Sequence, residues 1–184
     1  MRALAIGVTL ALTTTLARAA DPIPAWSPDR VAVSGTEDTY GPLRATLAEF
    51  KSAVGADYHV CIVGLSAENA GGDYADSAVG YVDAVFETWR AAGAPIDAER
   101  GIVIVLAIQN RGIALHPGSR WTRLGFERDV VTQLIDGSSF GQYARSGDYQ
   151  GALAQLVQAV DWHLALQERE LVRTAQEAQQ ALGQ

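Results

Sequence analysis

Apolar residues recur along the chain with two different spacings, and these spacings predict the order of helices and strands. Two short runs, YHVCIVGL at 58–65 and GIVIVLAI at 101–108, are almost uniformly apolar, which is typical of strands buried on both faces. Between them, a helix over about 74–92 is predicted by four apolar residues at helical spacing, namely Val79, Val82, Phe86 and Trp89. A strand, a helix and a strand in this order predict a right-handed parallel crossover.

The segment QNRGIALHPG at 109–118 predicts a hairpin after the second strand. Asn110 and Gly112 tolerate positive φ, so this stretch has the chemistry of a turn between two strand-like runs. The return must be antiparallel, because a parallel return needs a crossover of about a dozen residues or more. Arg111 flanks the turn, where a solvated side chain is expected more often than a catalytic cation.

Further helices are predicted on either side of this unit. The first covers about 42–55, with Pro42 suited to its first turn and Gly55 to its end. Another begins near Phe126 and turns four apolar residues inward, namely Phe126, Val130, Leu134 and Ile135.

The last helix is predicted to begin near Tyr149, with Asp148 suited to capping it. Its buried stripe comprises Leu153, Leu156, Val157, Val160 and Leu164. The glycine- and serine-rich stretch 138–151 is predicted to be a connection that leads into it. Together the elements predict an α/β fold with a central mixed β-sheet flanked by helices.

The first twenty residues have the layout of a secretory signal peptide, with a basic residue, an apolar stretch and small residues before a cleavage point near Ala20. A membrane anchor is the alternative, but the apolar stretch is too short to span a bilayer. We therefore expect an exported protein that is periplasmic, lumenal or secreted and has no transmembrane segment once cleaved. Beyond the signal peptide we expect an extended lead-in at 21–41, one domain at 42–166 and an exposed helical tail at 167–184.

Charge and the single cysteine exclude several classes of function. The chain has 14 basic and 21 acidic residues, and cleavage after Ala20 would remove Arg2 and Arg18 and bring the net charge from −7 to −9. Such an acidic chain is not expected to bind nucleic acid or anionic lipid by electrostatics. Cys61 lies in an apolar strand, where a buried side chain is expected rather than a catalytic thiolate.

Histidines offer one candidate catalytic residue. His59 lies among apolar neighbours in a strand, and His163 faces out of or along the last helix beside Trp162. At such positions structural histidines are more common than catalytic ones. His116 precedes Pro117-Gly118 at the exit of a strand, where a functional side chain can stand.

Several segments, in order, resemble the TPM domain family over about 42–163. They are HVCIVGL, YADSAVGYVDAVFETW, RGIVIVLAIQNRGIALHPG, FERDVVTQLID and GDYQGALAQLVQAV. The most specific positions are Trp89, Arg100-Gly101, Arg111, Gly118, and Gly147-Asp148-Tyr149 with Gly151. The family includes thylakoid-lumen proteins of photosystem II repair, a nematode receptor modulator and bacterial exported proteins.

The resemblance implies an α/β sandwich outside the cytoplasm, but no agreed activity. Some members are described as acid phosphatases, some bind calcium, and others act only by binding membrane-protein partners. Asp97 and Asp129 match acidic positions of the family and are the candidate metal ligands for calcium, the one cofactor that the resemblance suggests. After Gly118 this chain departs from the family and reads SRWTR, and Arg120 and Arg123 would oppose a cation but could hold an anion.

Two functions are therefore carried forward. The favoured one is a binding or assembly module for an extracytoplasmic protein, such as a membrane complex, since the sequence offers no convergent nucleophile and base. The alternative is a phosphatase-like hydrolase of phosphomonoesters with an acidic, calcium-dependent site. Its candidate catalytic residues are Asp97, Asp129 and His116, and its candidate ligand-binding residues are Arg111, Arg120 and Arg123.

Overall fold

A computed structural model describes residues 23–64, 74–109 and 111–182 of the chain. The predicted signal peptide at 1–20, most of the loop that precedes the second helix, and Asn110 of the predicted turn lie outside the described residues. The described part is an α/β fold in which helices flank a four-stranded mixed sheet, so the predicted fold class is confirmed.

The sheet has its strands in chain order. They are β1 (Val31–Ser34), β2 (Asp57–Val63), β3 (Gly101–Ala107) and β4 (Gly112–Pro117). The first three strands are parallel, while β4 returns antiparallel to β3, as predicted for the hairpin. In this register Cys61 lies beside Val105, and Val105 lies beside Ala114.

Six helices are described around the sheet. They are α1 (Gly41–Glu49), α2 (Tyr74–Ala91), α3 (Ser119–Arg123), α4 (Arg128–Gly137), α5 (Phe140–Arg145) and α6 (Tyr149–Leu182). The helices predicted near 42, 74 and 149 are confirmed to within a few residues at their starts. Asp148 does cap α6, since its Oδ1 accepts a hydrogen bond of 2.9 Å from the backbone N–H of Gly151.

The structure adds elements that were not predicted. The segment 21–41, expected to be an extended lead-in, contains β1, which pairs with β2 along its whole length. The stretch 138–151, expected to be a connection, contains α5, and α3 precedes the helix predicted near Phe126. That helix begins two residues later, at Arg128, although Phe126 is buried as expected, with 1% of its surface exposed.

The core lies in two layers, one on each face of the sheet. Alternate residues of β3 belong to different layers. The layer shared with α1, α4, α5 and α6 contains Ile102, Ile104 and Leu106. The layer shared with α2 contains Val103, Val105 and Ala107. All seven residues of β3 are buried. This arrangement explains why the strand is apolar throughout instead of alternating.

α6 crosses the first of these layers and continues beyond it. Every residue of its predicted buried stripe is buried. Beyond Leu166 the helix continues to Leu182 with exposed side chains, apart from a half-buried Glu168. Among the residues that the structure describes, none of the helices has both the length and the apolar character needed to cross a membrane.

Removing side-chain volume at Ile104 should test the two-layer core. Ile104 is fully buried in the centre of β3, so Ile104→Ala should lower the free energy of unfolding by about 2–5 kcal/mol. The matched variant Ile104→Val should cost only about 0.5–1.5 kcal/mol. Urea unfolding measures both values, and a loss below about 0.5 kcal/mol for the alanine variant would contradict this core.

Candidate functional site

The amino end of β3 is the place where the sequence located its acidic candidates. Asp97 lies in the loop before β3, and its Oδ1 accepts hydrogen bonds from the backbone N–H groups of Glu99 at 2.8 Å and Arg100 at 3.0 Å. These two bonds hold the pKa of the Asp97 carboxyl below its usual value. The carboxylate therefore shapes the loop that leads into the strand.

α3 is attached to the same loop through main-chain contacts. The backbone N–H groups of Ser119 and Arg120 donate to the carbonyls of Ala98 and Glu99 at 3.1 and 3.0 Å. A Cβ at Gly118 would lie 2.5 Å from the carbonyl oxygen of Glu99, so only glycine fits at this crossing.

The two arginines of SRWTR each face a carboxylate of the same chain. Arg120 forms a salt bridge with Glu168 of α6. Arg123 lies 3.6 Å from Glu99 in an exposed pair. Their charges are thus partly compensated within the chain, which reduces their availability to an anionic ligand.

Asp129 lies exposed in the first turn of α4. Within the described ranges, no group of three or more His, Cys, Asp or Glu side chains is placed to hold a metal ion. Calcium binding by Asp97 and Asp129 therefore stays a prediction, and it would require main-chain oxygens and water for most of the six to eight ligands that calcium takes.

His116 is part of the contact between the edge strand β4 and α2. Its Nδ1 lies 2.7 Å from Oδ1 of Asp83, and its ring stacks on Phe86 with 4.0 Å between the ring centroids. Such a pair fixes the orientation of the imidazole. This contact makes His116 part of the packing between β4 and α2.

The two other histidines and the cysteine make contacts typical of structural residues. Nε2 of His59 lies 2.8 Å from Asp57 and Nδ1 lies 3.3 Å from the indole nitrogen of Trp26, within a part-buried cluster. His163 packs against Phe126, and burial lowers its pKa. Cys61 is fully buried, which raises the pKa of its thiol to about 12 and keeps it protonated.

A cleft of about 770 Å³ opens at the opposite, carboxyl end of β3. We call it the Arg111–Arg145 cleft. It is formed by the last residues of β3, the hairpin turn, the α4–α5 junction and the start of α6, and its lining includes Arg111, Ile113, Asp136, Ser139, Phe140 and Arg145. In open α/β sheets, this is the end of the strands at which ligands usually bind.

Sequence reasoning identified one of the two arginines that line this cleft. Arg111 was predicted as a ligand-binding residue, whereas Arg145 was missed because 138–151 was expected to be an irregular connection. Arg145 lies in the last turn of α5. The six residues of α5, FGQYAR, are too few to give a periodic apolar signal, so no local pattern could have placed Arg145 on a helix.

A second, smaller groove of about 230 Å³ lies between the end of α1 and α6. We call it the Trp162 groove, and its lining includes Phe50, Ala53, Trp162, Ala165, Leu166 and Arg169. Trp162 has 67% of its surface exposed and Leu166 38%, although both lie in the middle of a well-packed helix. Sequence reasoning missed this surface because it treated Trp162 only as a neighbour of His163.

Comparison with known proteins identifies the fold but no family. No family model and no curated protein matches the chain. The N-terminal domain of a protein from P. gingivalis is similar in structure, with a TM-score of 0.50 and 17% identity over 73% of this chain and 80% of that one. The N-terminal domain of the cg2496 protein from Corynebacterium glutamicum matches with a TM-score of 0.48 and 14% identity, over 76% and 82%. At such low identity the likeness to the P. gingivalis domain concerns the fold alone.

Calcium should have little effect on stability, because Asp97 already accepts two main-chain hydrogen bonds. For a dissociation constant above about 10 mM, about 5 mM calcium stabilises a protein by less than about 0.25 kcal/mol. Thermal unfolding should therefore shift by less than about 1 °C between calcium and chelator. A rise of several degrees that Asp129→Asn abolishes would instead establish the calcium site.

Proposed function

We propose that this protein is an exported binding module that recognises an extracytoplasmic protein partner through the Trp162 groove. The observation that carries the proposal is the exposure of Trp162, at 67%, beside an open apolar groove on α6. Contiguous exposed apolar residues rimmed by polar ones mark protein interaction sites, and Trp162 and Leu166 are both exposed on this groove.

The chemistry of this surface suits a protein partner. Tryptophan and arginine are the residues most enriched among those that dominate binding energy, because each combines a large contact area with a polar group. Both are present here, since Arg169 lies on the same groove as Trp162. Phe50 and Leu166 provide the apolar surroundings that exclude water from such an anchor.

The expected partner presents an apolar side chain and a carboxylate. The apolar group would enter the groove beside Trp162, and the carboxylate would meet the Arg169 guanidinium. The resemblance to the TPM family and the predicted signal peptide support an extracytoplasmic partner, such as a subunit of a membrane complex.

The phosphatase-like alternative has less support from the positions of its candidate residues. Asp97 caps its own loop, while Arg120 and Arg123 face carboxylates of the chain. His116 pairs with Asp83 on a different side of the sheet from α3 and α4. These side chains would need to rearrange before they could act together on one phosphate group.

Site-specific photo-crosslinking should test the binding module. A photo-reactive residue at Leu166 should give one defined adduct with an extracytoplasmic protein in the source cells, because that position lines the groove. The matched control at Gln167, which is exposed on another face of α6, should give none. In the Leu166 background, Trp162→Ala should reduce the adduct about tenfold or more, as expected for a dominant interface residue.

The free energy of unfolding of Trp162→Ala shows whether a weaker adduct results from lost binding or from unfolding. Because Trp162 is mostly exposed, Trp162→Ala should change the free energy of unfolding by only about 0.5 kcal/mol. Equal adducts from positions 166 and 167, or an adduct that persists at full yield in Trp162→Ala, would rule out the groove as the recognition surface.

A phosphomonoester assay should test the alternative. The purified chain should hydrolyse a chromogenic phosphomonoester no faster than the buffer blank, with or without calcium, because Asp97, Arg120 and Arg123 are engaged within the chain. Asp129→Asn is the matched control for any background rate. Turnover that this substitution abolishes would establish the hydrolase and displace the binding module as the main function.

A further inference from the structure

The Arg111–Arg145 cleft places two arginines in the lining of one cavity on an acidic protein. The chain carries a net charge of −7. Among the residues that the structure describes, salt bridges engage Arg30, Arg44, Arg120, Arg123 and Arg173. Within that same part of the chain, neither Arg111 nor Arg145 forms a salt bridge, although both line one cleft. Two guanidinium groups at one cleft attract an oxyanion and can bind it in bidentate fashion.

The backbone at Arg111 provides an independent observation. Its φ of 53° lies in the left-handed region, which glycine and asparagine usually occupy in such turns. An arginine at this position is disfavoured by its side chain, and residues held in this conformation cluster at ligand-binding sites. The turn thus contains a residue with an unfavourable backbone conformation, and that residue lines the cleft.

The other residues that line the cleft indicate the chemistry of the part of a ligand that is not anionic. Ile113, Ile135 and Phe140 form an apolar wall, and Ser139 adds a hydroxyl group. Asp136 also lines the cleft, so the charged residues of the lining, two arginines and one aspartate, carry a formal net charge of +1. The cleft volume of about 770 Å³ falls in the usual range for small-molecule sites.

From these features we propose that the Arg111–Arg145 cleft is a binding site for a small organic oxyanion with an apolar body, such as an aromatic carboxylate or phosphate. The two guanidinium groups hold the oxyanion, and the apolar wall covers the body. The site shares no lining residue with the Trp162 groove. It also lies at the opposite end of β3 from Asp97 and the SRWTR segment. The test of this site is therefore independent of the test of the proposed function.

Thermal unfolding of the purified chain should test the site with three probes, inorganic phosphate, phenyl phosphate and benzoate, each against sodium chloride of equal ionic strength. We expect a saturable rise in melting temperature with phenyl phosphate or benzoate that exceeds the rise with inorganic phosphate, because only the first two carry an apolar body. The comparison of phenyl phosphate with benzoate distinguishes the two oxyanions. No saturable rise with any probe would overturn the proposal.

Two arginine variants locate the binding. Arg111→Gly and Arg145→Gln should each raise the dissociation constant of the probe about tenfold or more. The surface control Lys51→Gln should leave it unchanged. Arg111→Gly is informative because glycine prefers the observed φ. Without ligand it should melt at the same temperature as the parent or higher, so lost binding cannot be attributed to a damaged fold.

The same measurements can contradict this location. Binding retained within about twofold in both arginine variants would overturn the site, and so would an equal loss in Lys51→Gln, which would indicate a general charge effect. Loss in Arg123→Gln alone would place the anion at the amino end of β3 instead. In NMR spectra of the parent chain, the amide signals of Gly112, Ser139 and Gly141 should shift on titration, and shifts confined to other regions would also overturn the assignment.

Discussion

The burial of β3 on both faces is the constraint on which the rest of the structure depends. All of its residues are apolar and buried, so each face must be covered by helices to remove it from water. α2 covers one face and the helices α1, α4, α5 and α6 cover the other. A three-layer arrangement of this kind leaves no room for polar side chains along β3 itself. The candidate side chains around this strand therefore lie at its two ends or on the outer surfaces of the helices.

The two ends of β3 differ in how their charges are satisfied. At the amino end, Asp97 accepts main-chain hydrogen bonds, and Arg120 and Arg123 face acidic side chains. These contacts join α3 to the loop before β3 and to Glu168 of α6. At the carboxyl end, Arg111 and Arg145 form no salt bridge with any residue that the structure describes. The amino end is thus suited to holding the fold together, and the carboxyl end to binding.

Elements with their own periodic pattern could be predicted from the sequence, whereas elements that depend on distant contacts could not. The helix over 74–91 and the hairpin after β3 follow from local spacing and turn chemistry. β1 has only four residues, and its identity as a strand depends on pairing with β2. α3 depends on hydrogen bonds to residues 98 and 99, and Gly118 permits that approach. For the same reason Arg145 could not be assigned to a cleft, since the cleft exists only after these segments meet.

α6 shows how one buried carboxylate can position an exposed binding surface. Asp161, only 6% exposed, accepts hydrogen bonds from the Ser52 hydroxyl, the Ala53 backbone N–H at 2.9 Å and the Tyr58 hydroxyl at 3.2 Å. These bonds tie α6 to β2 and to the segment before it. Burial and the neighbouring Asp161 carboxylate keep the pKa of Tyr58 well above its usual value. Because consecutive residues of a helix point about 100° apart, an inward Asp161 turns Trp162 outward. The rotation of α6, and with it the presentation of Trp162, is therefore set by a buried carboxylate that also belongs to the lining of the groove.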